Sequence, residues 1–410
     1  MNCRHCKKKL THTFLDLGFA PPSNSYLTKE QLLKPEKYYP LKVMVCDNCW
    51  LVQTEDYAKR EEFFSSDYAY FSSTSTSWLA HSRKYCNEMI KLLNLNQESH
   101  VIEIASNDGY LLKNFVEADI PCLGIEPTDS TADVAEKIGI PVLREFFGEK
   151  LAEQLSSQNK KADLIIGNNV YAHVPDINDF TVGLSKLLKQ NGTITLEFPH
   201  LMRLLELNQF DTIYHEHYSY LSLSTVSKIF AMAGLRIYDI EELTTHGGSL
   251  RIYGCHLSSN IQTSNRVTNL FKIESEKGLQ DINTYLSFQS RANRVKNDLL
   301  EFLIKQSKNG KKVVAYGAAA KGNTLLNYSG VKPDLLNFVC DAAVAKQNKF
   351  MPGNHIPIVK PNLSLLKNVD FVLILPWNIS EEITENLHAL NQEGVKFVVA
   401  VPYLKILNNE

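Results

Sequence analysis

The sequence predicts an α/β protein in which a small metal-binding segment precedes two doubly wound units. Two Cys-x-x-Cys pairs lie between Cys3 and Cys49, short apolar strands alternate with helical patterns from about residue 101, and the alternation resumes at residue 312. Such alternation is typical of parallel sheets covered by helices. A chain of 410 residues also exceeds what one hydrophobic core usually serves, so two or three domains are expected.

The two cysteine pairs are expected to bind zinc. Cys3 and Cys6 form one pair and Cys46 and Cys49 the other. Each pair can place two thiolates on one side of a tetrahedral ion, and four thiolates leave no open position, so a structural role is expected. His5 lies inside the first pair, which Cys6 already closes, and is not counted as a ligand. The long spacing between the pairs requires a structured insert.

The remaining elements follow from short apolar runs. The strands of the first unit are expected at 101–105, 122–126, 163–167 and 193–197. The strands of the second unit are expected at 312–316, 337–341, 371–375 and 397–401. The stretch 264–308 has few turn residues and is expected to be mostly helical. A helix is also expected to begin at Tyr110.

Composition narrows the possible partners. The formal net charge is −2, and no long basic run occurs, which argues against nucleic acid or an anionic membrane as the partner. No apolar segment approaches the roughly 20 residues that span a bilayer, and the N-terminus has no apolar signal core. We therefore expect a cytoplasmic monomer that acts on a small molecule, with its eight cysteines as thiols or metal ligands.

Acidic residues follow the first two strands of the first unit. Glu103 and Asp108 flank a turn whose single glycine is Gly109, whereas a dinucleotide site favours three glycines beside its pyrophosphate. Carboxylates suit a cationic ligand such as S-adenosylmethionine, and Glu126 is placed to accept both ribose hydroxyls. The sequence therefore favours S-adenosylmethionine over NAD. A structural turn with solvated acids is the alternative.

Polar residues after the third strand should face the same crevice. Asn168 or Asn169 can reach the methionine end of the cofactor, and His173 can reach the substrate. His173 can equally cap a helix or pack in the core. Phe146 belongs to an aromatic pair that can flank an adenine, although such pairs more often lie in cores.

The densest group of reactive side chains is the stretch Tyr-His-Glu-His-Tyr-Ser-Tyr at 214–220. In a strand, its histidines and its tyrosines would lie on opposite faces, whereas in a turn they could converge. Neutral histidine is the usual general base near pH 7, and a carboxylate can orient it. A polar strand edge with a satisfied histidine is the alternative.

These motifs together resemble a known family. The cysteine pairs, Glu-Ile-Ala-Ser-Asn-Asp-Gly-Tyr, Gly-Ile-Glu-Pro, Ala-His-Val-Pro-Asp, Tyr-His-Glu-His-Tyr-Ser-Tyr and His-Gly-Gly-Ser-Leu-Arg occur in this order over essentially the whole chain. The sequence is similar to the sugar C-methyltransferases of deoxysugar biosynthesis, such as the C-3 methyltransferase of the tetronitrose pathway. The resemblance implies methyl transfer from S-adenosylmethionine to C-3 of a dTDP-4-keto-6-deoxyhexose.

The resemblance also implies domains and site residues. It suggests a zinc domain (1–66), a class I methyltransferase domain (67–260) and a C-terminal Rossmann-like domain (261–410) that helps to hold the nucleotide sugar. The implied active-site residues are Tyr68 (with Tyr70 as its alternative), His173, Tyr214, Glu216 and His217. The expected cofactor residues are Glu103, Ala105, Asn107, Asp108, Gly109, Glu126, Pro127, Phe146, Asn168 and Asn169. Ala105 stands where many methyltransferases have glycine.

Nucleotide-sugar binding is expected in two further places. The turn from His246 offers backbone donors, the hydroxyl of Ser249 and a guanidinium, Arg251, that can grip a diphosphate. Residues 317–324 form a small-residue turn that can hold a phosphate at a helix N-terminus. From the second unit, the expected contacts are Lys321, Asn323, Trp377 and Asn378.

Carbon methylation requires a base that removes the C-3 proton beside the C-4 ketone. His217 is predicted to be this base, with His215 as its rival, and Glu216 or a tyrosine is expected to orient it or to hold a sugar hydroxyl. Tyr68, Tyr214 and His173 are candidate donors to the enolate or the C-3 hydroxyl. The functional alternatives are an O- or N-methyltransferase on a related sugar, an NAD-dependent dehydrogenase, and a non-enzymatic zinc adaptor.

Overall fold

The computed structural model describes residues 1–57, 73 and 76–407. The described part contains three β-sheets with four, seven and six strands. The first is antiparallel, and the other two are largely parallel with helices between their strands. The predicted α/β fold with an N-terminal zinc-binding domain and two Rossmann-like units is therefore confirmed.

The N-terminal sheet is built mainly from the segment that carries the cysteine pairs. Its strands are β1 (His12–Ala20), β2 (Tyr39–Val45), β3 (Val52–Thr54) and β9 (Ser219–Tyr220). The order is β1-β2-β3-β9, so the last strand comes from the part of the chain that contains the 214–220 cluster. The zinc-binding region and that cluster consequently share one sheet.

The four cysteine sulfurs converge at one end of this sheet. They all lie within 4.8 Å of one another, with Cys3 Sγ 3.4 Å from Cys49 Sγ and Cys6 Sγ 3.5 Å from Cys46 Sγ. These distances are far longer than a disulfide bond of about 2.05 Å. They agree with sulfurs that surround one zinc ion at about 2.3 Å each. The donor set therefore fits structural zinc.

The two cysteine pairs use the same local turn. Lys7 N donates to Cys3 O (3.0 Å), and Trp50 N donates to Cys46 O (2.9 Å). Both donor residues have left-handed φ angles, 61° for Lys7 and 67° for Trp50. Gln53 Nε2 also donates to Cys3 Sγ at 3.3 Å. Each turn thus holds its two thiols on the same side without a glycine.

The central sheet has the strand order β10-β11-β8-β7-β4-β5-β6. Its strands are β4 (Val101–Ile104), β5 (Cys122–Ile125), β6 (Val142–Leu143), β7 (Ala162–Asn168), β8 (Leu188–Pro199), β10 (Leu235–Leu243) and β11 (Ser249–His256). The strand β4 pairs in parallel with both β5 and β7, and all of its residues are buried. The order in which successive strands follow one another across the sheet reverses between β4 and β7, and this place is called the switch point. In such sheets, ligands bind at the carboxyl ends of the strands beside the switch point.

The C-terminal sheet repeats this arrangement with the order β14-β13-β12-β15-β16-β17. Its strands are β12 (Val313–Tyr316), β13 (Val339–Cys340), β14 (Ile358–Val359), β15 (Phe371–Ile374), β16 (Lys396–Val399) and β17 (Lys405–Leu407). The strand β12 pairs in parallel with β13 and β15, so this sheet also has a switch point. The eight strands predicted for the two units are all present.

The α-helices cover both parallel sheets and connect them. In chain order they are α1 (Thr76–Leu92), α2 (Lys113–Val116), α3 (Asp129–Lys137), α4 (Glu149–Ser157), α5 (Ile177–Leu187), α6 (Leu201–Glu206), α7 (Leu223–Met232), α8 (Asn265–Glu276), α9 (Ile282–Leu286), α10 (Phe288–Lys308), α11 (Ala320–Tyr328), α12 (Leu363–Leu366), α13 (Ser380–Asn386) and α14 (His388–Gln392). The stretch 264–308 is helical as predicted. The helix expected from Tyr110 begins only at Lys113, after a turn.

A segment from Pro21 to Tyr38, which we call the strap, crosses from the N-terminal sheet onto the C-terminal unit. Leu27 forms a β-bridge with Phe350, and Tyr26 Oη donates to Ala318 O at 2.6 Å. Further along, Glu36 contacts the His355 ring at 2.9 Å. The insert between the cysteine pairs is therefore structured, and it fastens the first part of the chain to the last.

In the part of the chain that the structure describes, none of the helices is both long enough and apolar enough to cross a membrane.

The cysteine geometry predicts that zinc holds the N-terminal sheet. In Cys46→Ser, loss of one thiolate should remove most of the bound zinc and lower the melting temperature, because structural zinc contributes directly to folding free energy. Metal content per chain is measured by mass spectrometry, and melting by calorimetry. Cys122→Ser changes a thiol outside the cluster and should keep its zinc. Full zinc in Cys46→Ser would contradict the assignment.

Candidate active site

One large cavity lies where the two parallel sheets face each other. It encloses about 830 Å³ and is lined by residues of the strap, the central unit and the C-terminal unit. This volume lies within the range of about 300–1,000 Å³ that is usual for ligand sites. Each unit contributes the carboxyl ends of its strands, so the switch points of both sheets adjoin the same cavity.

Glu126, at the end of β5, is fixed on the wall of the central unit. Its Oε2 accepts from Asn107 N at 3.0 Å, and its Oε1 accepts from Thr128 N at 2.9 Å. The side chain is buried and lines the cavity. Two backbone donors thus set the direction of the carboxylate, and each oxygen keeps a further lone pair for a ligand hydroxyl.

The neighbouring turns have an unusual backbone. Ala105, Asn107, Asn169 and His246 all line the cavity, and their φ angles are 57°, 50°, 54° and 53° respectively. Left-handed backbone is costly for residues other than glycine and often marks functional sites. At Ala105 it explains why a glycine suits this position in many methyltransferases. The alanine keeps the same turn at some conformational cost.

Asn168 places an unpaired amide on this wall. Its side chain is buried and lines the cavity, yet neither Oδ1 nor Nδ2 has a hydrogen-bond partner among the residues that the structure describes. An unpaired buried amide costs about 1–3 kcal/mol. The orphaned amide fits a polar ligand at this point. Pro127 and Phe146 line the cavity beside it.

Three of the expected cofactor residues lie behind the cavity wall. Glu103 is fully buried, and burial together with the charges of Glu126 and Asp108 raises its pKa well above the usual range. Asp108 Oδ2 accepts from Ser73 N at 3.1 Å. A Cβ on Gly109 would lie 2.3 Å from Ile140 Cδ1, so this glycine permits close packing. Their direct contact with a cofactor, expected from the sequence, is not supported.

The 214–217 segment is a turn that places the ring of His217 beside the ring of His173. His217 N donates to Tyr214 O at 2.9 Å and closes the turn. The ring of His217 lies 4.0 Å from the Tyr214 ring and 4.6 Å from the His173 ring. All three residues line the cavity. Of the two conformations that the sequence allowed, residues 214–217 therefore form the turn and not the alternating strand.

Backbone carbonyls fix the tautomer of both histidines. His217 Nδ1 lies 2.9 Å from Thr212 O, and His173 Nδ1 lies 2.8 Å from Glu216 O. A carbonyl only accepts, so Nδ1 carries the proton in each ring and Nε2 keeps a lone pair. Orientation comes from carbonyls, whereas a carboxylate or tyrosine was expected to orient His217.

Burial keeps these imidazoles neutral. It lowers the pKa of His173 to about 4. It also lowers the pKa of His217 well below the usual range, with a contribution from His173. A neutral imidazole with its Nδ1 proton committed to a carbonyl can accept a proton at Nε2 at physiological pH.

Glu216 is held by the strap. Asn24 Nδ2 donates to Glu216 Oε2 at 2.7 Å, and both residues line the cavity. Burial raises the pKa of Glu216 to about 7, although the Asn24 hydrogen bond opposes this shift. The carboxyl group therefore changes charge near physiological pH.

His215 points away from this group. Its Nε2 lies 3.3 Å from Pro40 O, and its ring contacts the Tyr39 ring at 5.9 Å. His215 is not among the residues that line the cavity. The two histidines of the motif thus have separate environments. Tyr68 and its alternative Tyr70 lie outside the described residues.

The C-terminal wall brings some of the expected substrate residues to the cavity. Lys321 and Asn378 line it, and Lys321 Nζ donates to Asn378 Oδ1 at 2.6 Å. Trp377 packs behind them, with Nε1 donating to Asp211 Oδ2 at 2.7 Å. Asn323 is fully buried next to Asn354, so the structure does not bring it to the cavity.

The turn at 246–251 also places some of the expected substrate residues at the cavity and others away from it. His246 lines the cavity, and its Nε2 lies 3.1 Å from Asn169 Nδ2. Burial lowers the pKa of His246 to about 4. Ser249 is buried and donates to Thr245 O at 3.0 Å. Ser249 is therefore a structural residue of the turn, and its expected substrate contact is not supported.

Arg251 is not available to grip a diphosphate. Its side chain is 1% exposed and lies 2.7 Å from both Glu197 Oε2 and Glu241 Oε2, with its guanidinium 4.6 Å from the Tyr85 ring centre. Burial raises the pKa of Glu197, but the His81 hydrogen bond and the Arg251 charge outweigh it and lower that pKa to about 2. The structure therefore does not bring Arg251 to the cavity, because its charge pairs with carboxylates inside the central unit.

Sequence reasoning missed the residues that the strap contributes. Asn24, Tyr26 and Gln31 line the cavity, as do Lys346 and Lys349 of the C-terminal unit. Asn24 is 192 positions from its partner Glu216, and no local pattern links the two. The only available signal was the length of the insert between the cysteine pairs.

Three protein families match successive parts of the chain. A putative zinc binding domain matches residues 3–64, and a methyltransferase domain matches residues 78–240. A C-methyltransferase C-terminal domain matches residues 244–402. A curated relative, the C-methyltransferase NovU of Streptomyces niveus, is 31% identical over 408 residues, which cover 100% of this chain and 97% of the relative.

Solved structures are similar to part of the chain. A S-adenosylmethionine-dependent methyltransferase from Clostridium acetobutylicum ATCC 824 is 12% identical, with 43% of this chain and 92% of that chain covered and a TM-score of 0.36. The magnesium protoporphyrin IX methyltransferase of Synechocystis PCC 6803 with bound SAH is 13% identical, with 48% and 97% covered and a TM-score of 0.37. The family rests on the full-length relative and not on these partial likenesses.

The position of Arg251 predicts a loss of stability and not of substrate affinity. Arg251→Met leaves the charge of Glu197 in the core without its arginine, although His81 and Thr245 still form hydrogen bonds with it. The loss of the buried ion pair should cost about 3–5 kcal/mol. Urea unfolding measures the loss. The double variant Arg251→Met/Glu197→Gln removes both charges and should be less destabilised than the single variant. A stable Arg251→Met protein with weakened nucleotide-sugar binding would contradict this view.

Proposed function

The chain belongs to the S-adenosylmethionine-dependent C-methyltransferases of deoxysugar biosynthesis, and we propose that it methylates C-3 of a dTDP-4-keto-6-deoxyhexose through an enolate. The observation that carries this proposal is the buried turn at 214–217. It presents the Nε2 edge of a neutral histidine in a cavity that the methyltransferase unit shares with a second Rossmann-like unit. Carbon methylation requires a base at this place to remove the C-3 proton.

The residues of the central wall fit S-adenosylmethionine. We propose that Glu126 accepts the ribose hydroxyls and that the orphaned amide of Asn168 pairs with the amino acid end. Phe146 and Pro127 offer apolar surface for the adenine. When bound, the cofactor supplies an electrophilic methyl group on a sulfonium.

The proposed reaction begins at C-3 of the sugar. His217 Nε2 takes the C-3 proton, and the electron pair of the C–H bond forms a C-3–C-4 double bond while the C-4 oxygen becomes an oxyanion. The C-4 carbonyl would then re-form as C-3 bonds to the methyl carbon and the methyl–sulfur bond breaks, which leaves S-adenosylhomocysteine. Because burial holds the imidazole neutral, the base is ready without prior loss of a proton.

His173 and Glu216 would bind the sugar around this base. His173 Nε2 is proposed to accept from a sugar hydroxyl, since its Nδ1 is committed to a carbonyl. Glu216 in its ionised form would accept from another hydroxyl. Positioning of the sugar by several fixed groups lowers the entropic part of the barrier.

The nucleotide half of the substrate is proposed to occupy the strap side of the cavity. Lys346 and Lys349 line this side together with Gln31. The Lys346 Nζ lies 5.4 Å from the Tyr26 ring centre and donates to Ala318 O at 2.9 Å. Lysine ammonium groups suit a diphosphate. The strap would cover the nucleobase of the substrate.

The two histidines of the motif provide a matched test. His217→Asn should lower turnover by at least about 100-fold, the usual effect of losing a general base, while S-adenosylhomocysteine still binds. His215→Asn should keep most of the turnover, because His215 lies outside the cavity wall. Turnover is measured with a panel of dTDP-4-keto sugars, and binding by calorimetry. Equal losses in both variants would overturn the assignment of the base.

Glu216 predicts the pH profile of the reaction. Its pKa of about 7 means that the carboxylate becomes protonated as the pH falls through 7, so C-3 proton exchange should decline below this value. His217 does not titrate in this window, because its pKa is far lower. In Glu216→Gln the exchange should be slower but flat from about pH 7 to about pH 6. An unchanged acid limb in this variant would show that another group titrates.

A further inference from the structure

Lys321 occupies a particular place in the cavity. It lies in the first turn of α11, and its side chain lines the cavity wall. Its Nζ donates to Asn378 Oδ1 at 2.6 Å and lies 4.5 Å from the centre of the Trp377 ring. Two fixed groups thus hold this ammonium group at one point of the wall.

The surroundings of Trp377 place that point beside the reacting groups. A Cβ on Gly247, next to His246, would lie 2.4 Å from Trp377 Cη2. On its other edge, Trp377 Nε1 donates to Asp211, the neighbour of Thr212, whose carbonyl holds His217. Lys321 therefore faces the histidine group, whereas Lys346 lies beside Tyr26 of the strap.

The charge of Lys321 has no direct counter-ion among the residues that the structure describes, because none of their carboxylates lies within the 4.0 Å of an ion pair from its Nζ. The acid that faces it, Asp211, accepts from Trp377, and burial raises the pKa of Asp211 to about 6. Lys346, in contrast, lies 3.5 Å from Asp341 Oδ2. Lys321 is thus a fixed cation whose remaining N–H groups are available for a ligand.

From this arrangement we propose that Lys321 is a catalytic residue that donates a hydrogen bond to the C-4 oxygen of the ketosugar and stabilises the enolate. This inference rests on the proposed function and assigns a role different from the phosphate contact that the α11 N-terminus suggested. As His217 removes the C-3 proton, negative charge develops on the C-4 oxygen next to the ammonium group. Lys321 stays protonated throughout, and the charge returns to carbon as the C–C bond forms and the S–C bond breaks.

Neutral neighbours strengthen this effect. His173, His217 and His246 are uncharged near pH 7 because burial lowers their pKa values. An ammonium group in a cavity that excludes water interacts with a developing anion more strongly than it would in water. A preorganised donor of this kind is typically worth about 10²–10³ in rate.

The test separates enolate formation from binding. Each protein is saturated with a dTDP-4-keto-6-deoxyhexose and S-adenosylhomocysteine in D₂O, and exchange of the C-3 proton is followed by NMR. Lys321→Met should slow exchange by about 10²–10³-fold while the dissociation constant of the nucleotide sugar changes little. Lys332→Met is the matched control, because Lys332 donates to Gly353 O outside the cavity wall. It should keep the exchange rate.

Other outcomes discriminate between the proposals. Weakened nucleotide-sugar binding with an unchanged saturated exchange rate in Lys321→Met would overturn this inference and support a diphosphate contact. Absence of exchange in the unmodified protein would instead overturn the proposed enolate mechanism. Lys321→Ala provides a second variant if the methionine protein does not fold. Propylammonium should restore part of its exchange, and failure of this rescue in folded protein would also count against the inference.

Discussion

Burial of the titratable side chains of the catalytic region proposed for the shared cavity is the constraint on which the rest of the structure depends. Desolvation disfavours the charged form of a titratable group. It lowers the pKa of Lys321 to about 8 and raises that of Glu216 to about 7, while it holds the histidines neutral. A neutral imidazole and a carboxylic acid coexist there near pH 7 because burial lowers the pKa of His217 and raises that of Glu216. The methyltransferase sheet supplies one wall, the C-terminal unit the opposite wall, and the strap the edge.

In this cavity, backbone groups orient several of the side chains that line it. The carbonyls of Thr212 and Glu216 orient the two histidines, and two backbone N–H groups orient Glu126. Because these partners are part of the main chain, they cannot rotate away when a ligand enters. The left-handed turns around the cavity bring these groups into position. The packing of the sheets on either side offsets the conformational cost of these turns.

The sequence predicted the fold well because its signals are local. Each strand is a short apolar run, and the helices between them follow from periodicity, so the two Rossmann-like units and the cysteine cluster could be expected. The position of Glu126 at a strand end and the convergence of residues 214–217 were also open to prediction. Only the start of the helix after Tyr110 was misplaced, since Gly109 leads into a longer turn.

The remainder of the site depends on distant contacts. The sequence gives no sign that Arg251 is buried against Glu197, because a lone arginine after two glycines has the same pattern whether it meets a phosphate or a carboxylate. Similarly, the contact of Asn24 with Glu216 joins segments that only the finished fold brings together. Glu103 was expected to face a cofactor, but its strand position buries it behind the wall. Motifs predicted the position of a residue at the cavity where one local turn decides it, and did not where long-range packing decides it.

The pairing of β3 with β9 has a consequence for recombination between relatives. Val52 and Gln53 pair with Tyr220 and Ser219, and Thr54 Oγ1 donates to His217 O at 3.1 Å. The zinc-binding segment and the turn at 214–217 therefore form one structural unit, although they lie far apart in the chain. Crossover points chosen at the boundaries of the matched families would cut through this unit. Chimaeras should inherit both pieces from the same parent.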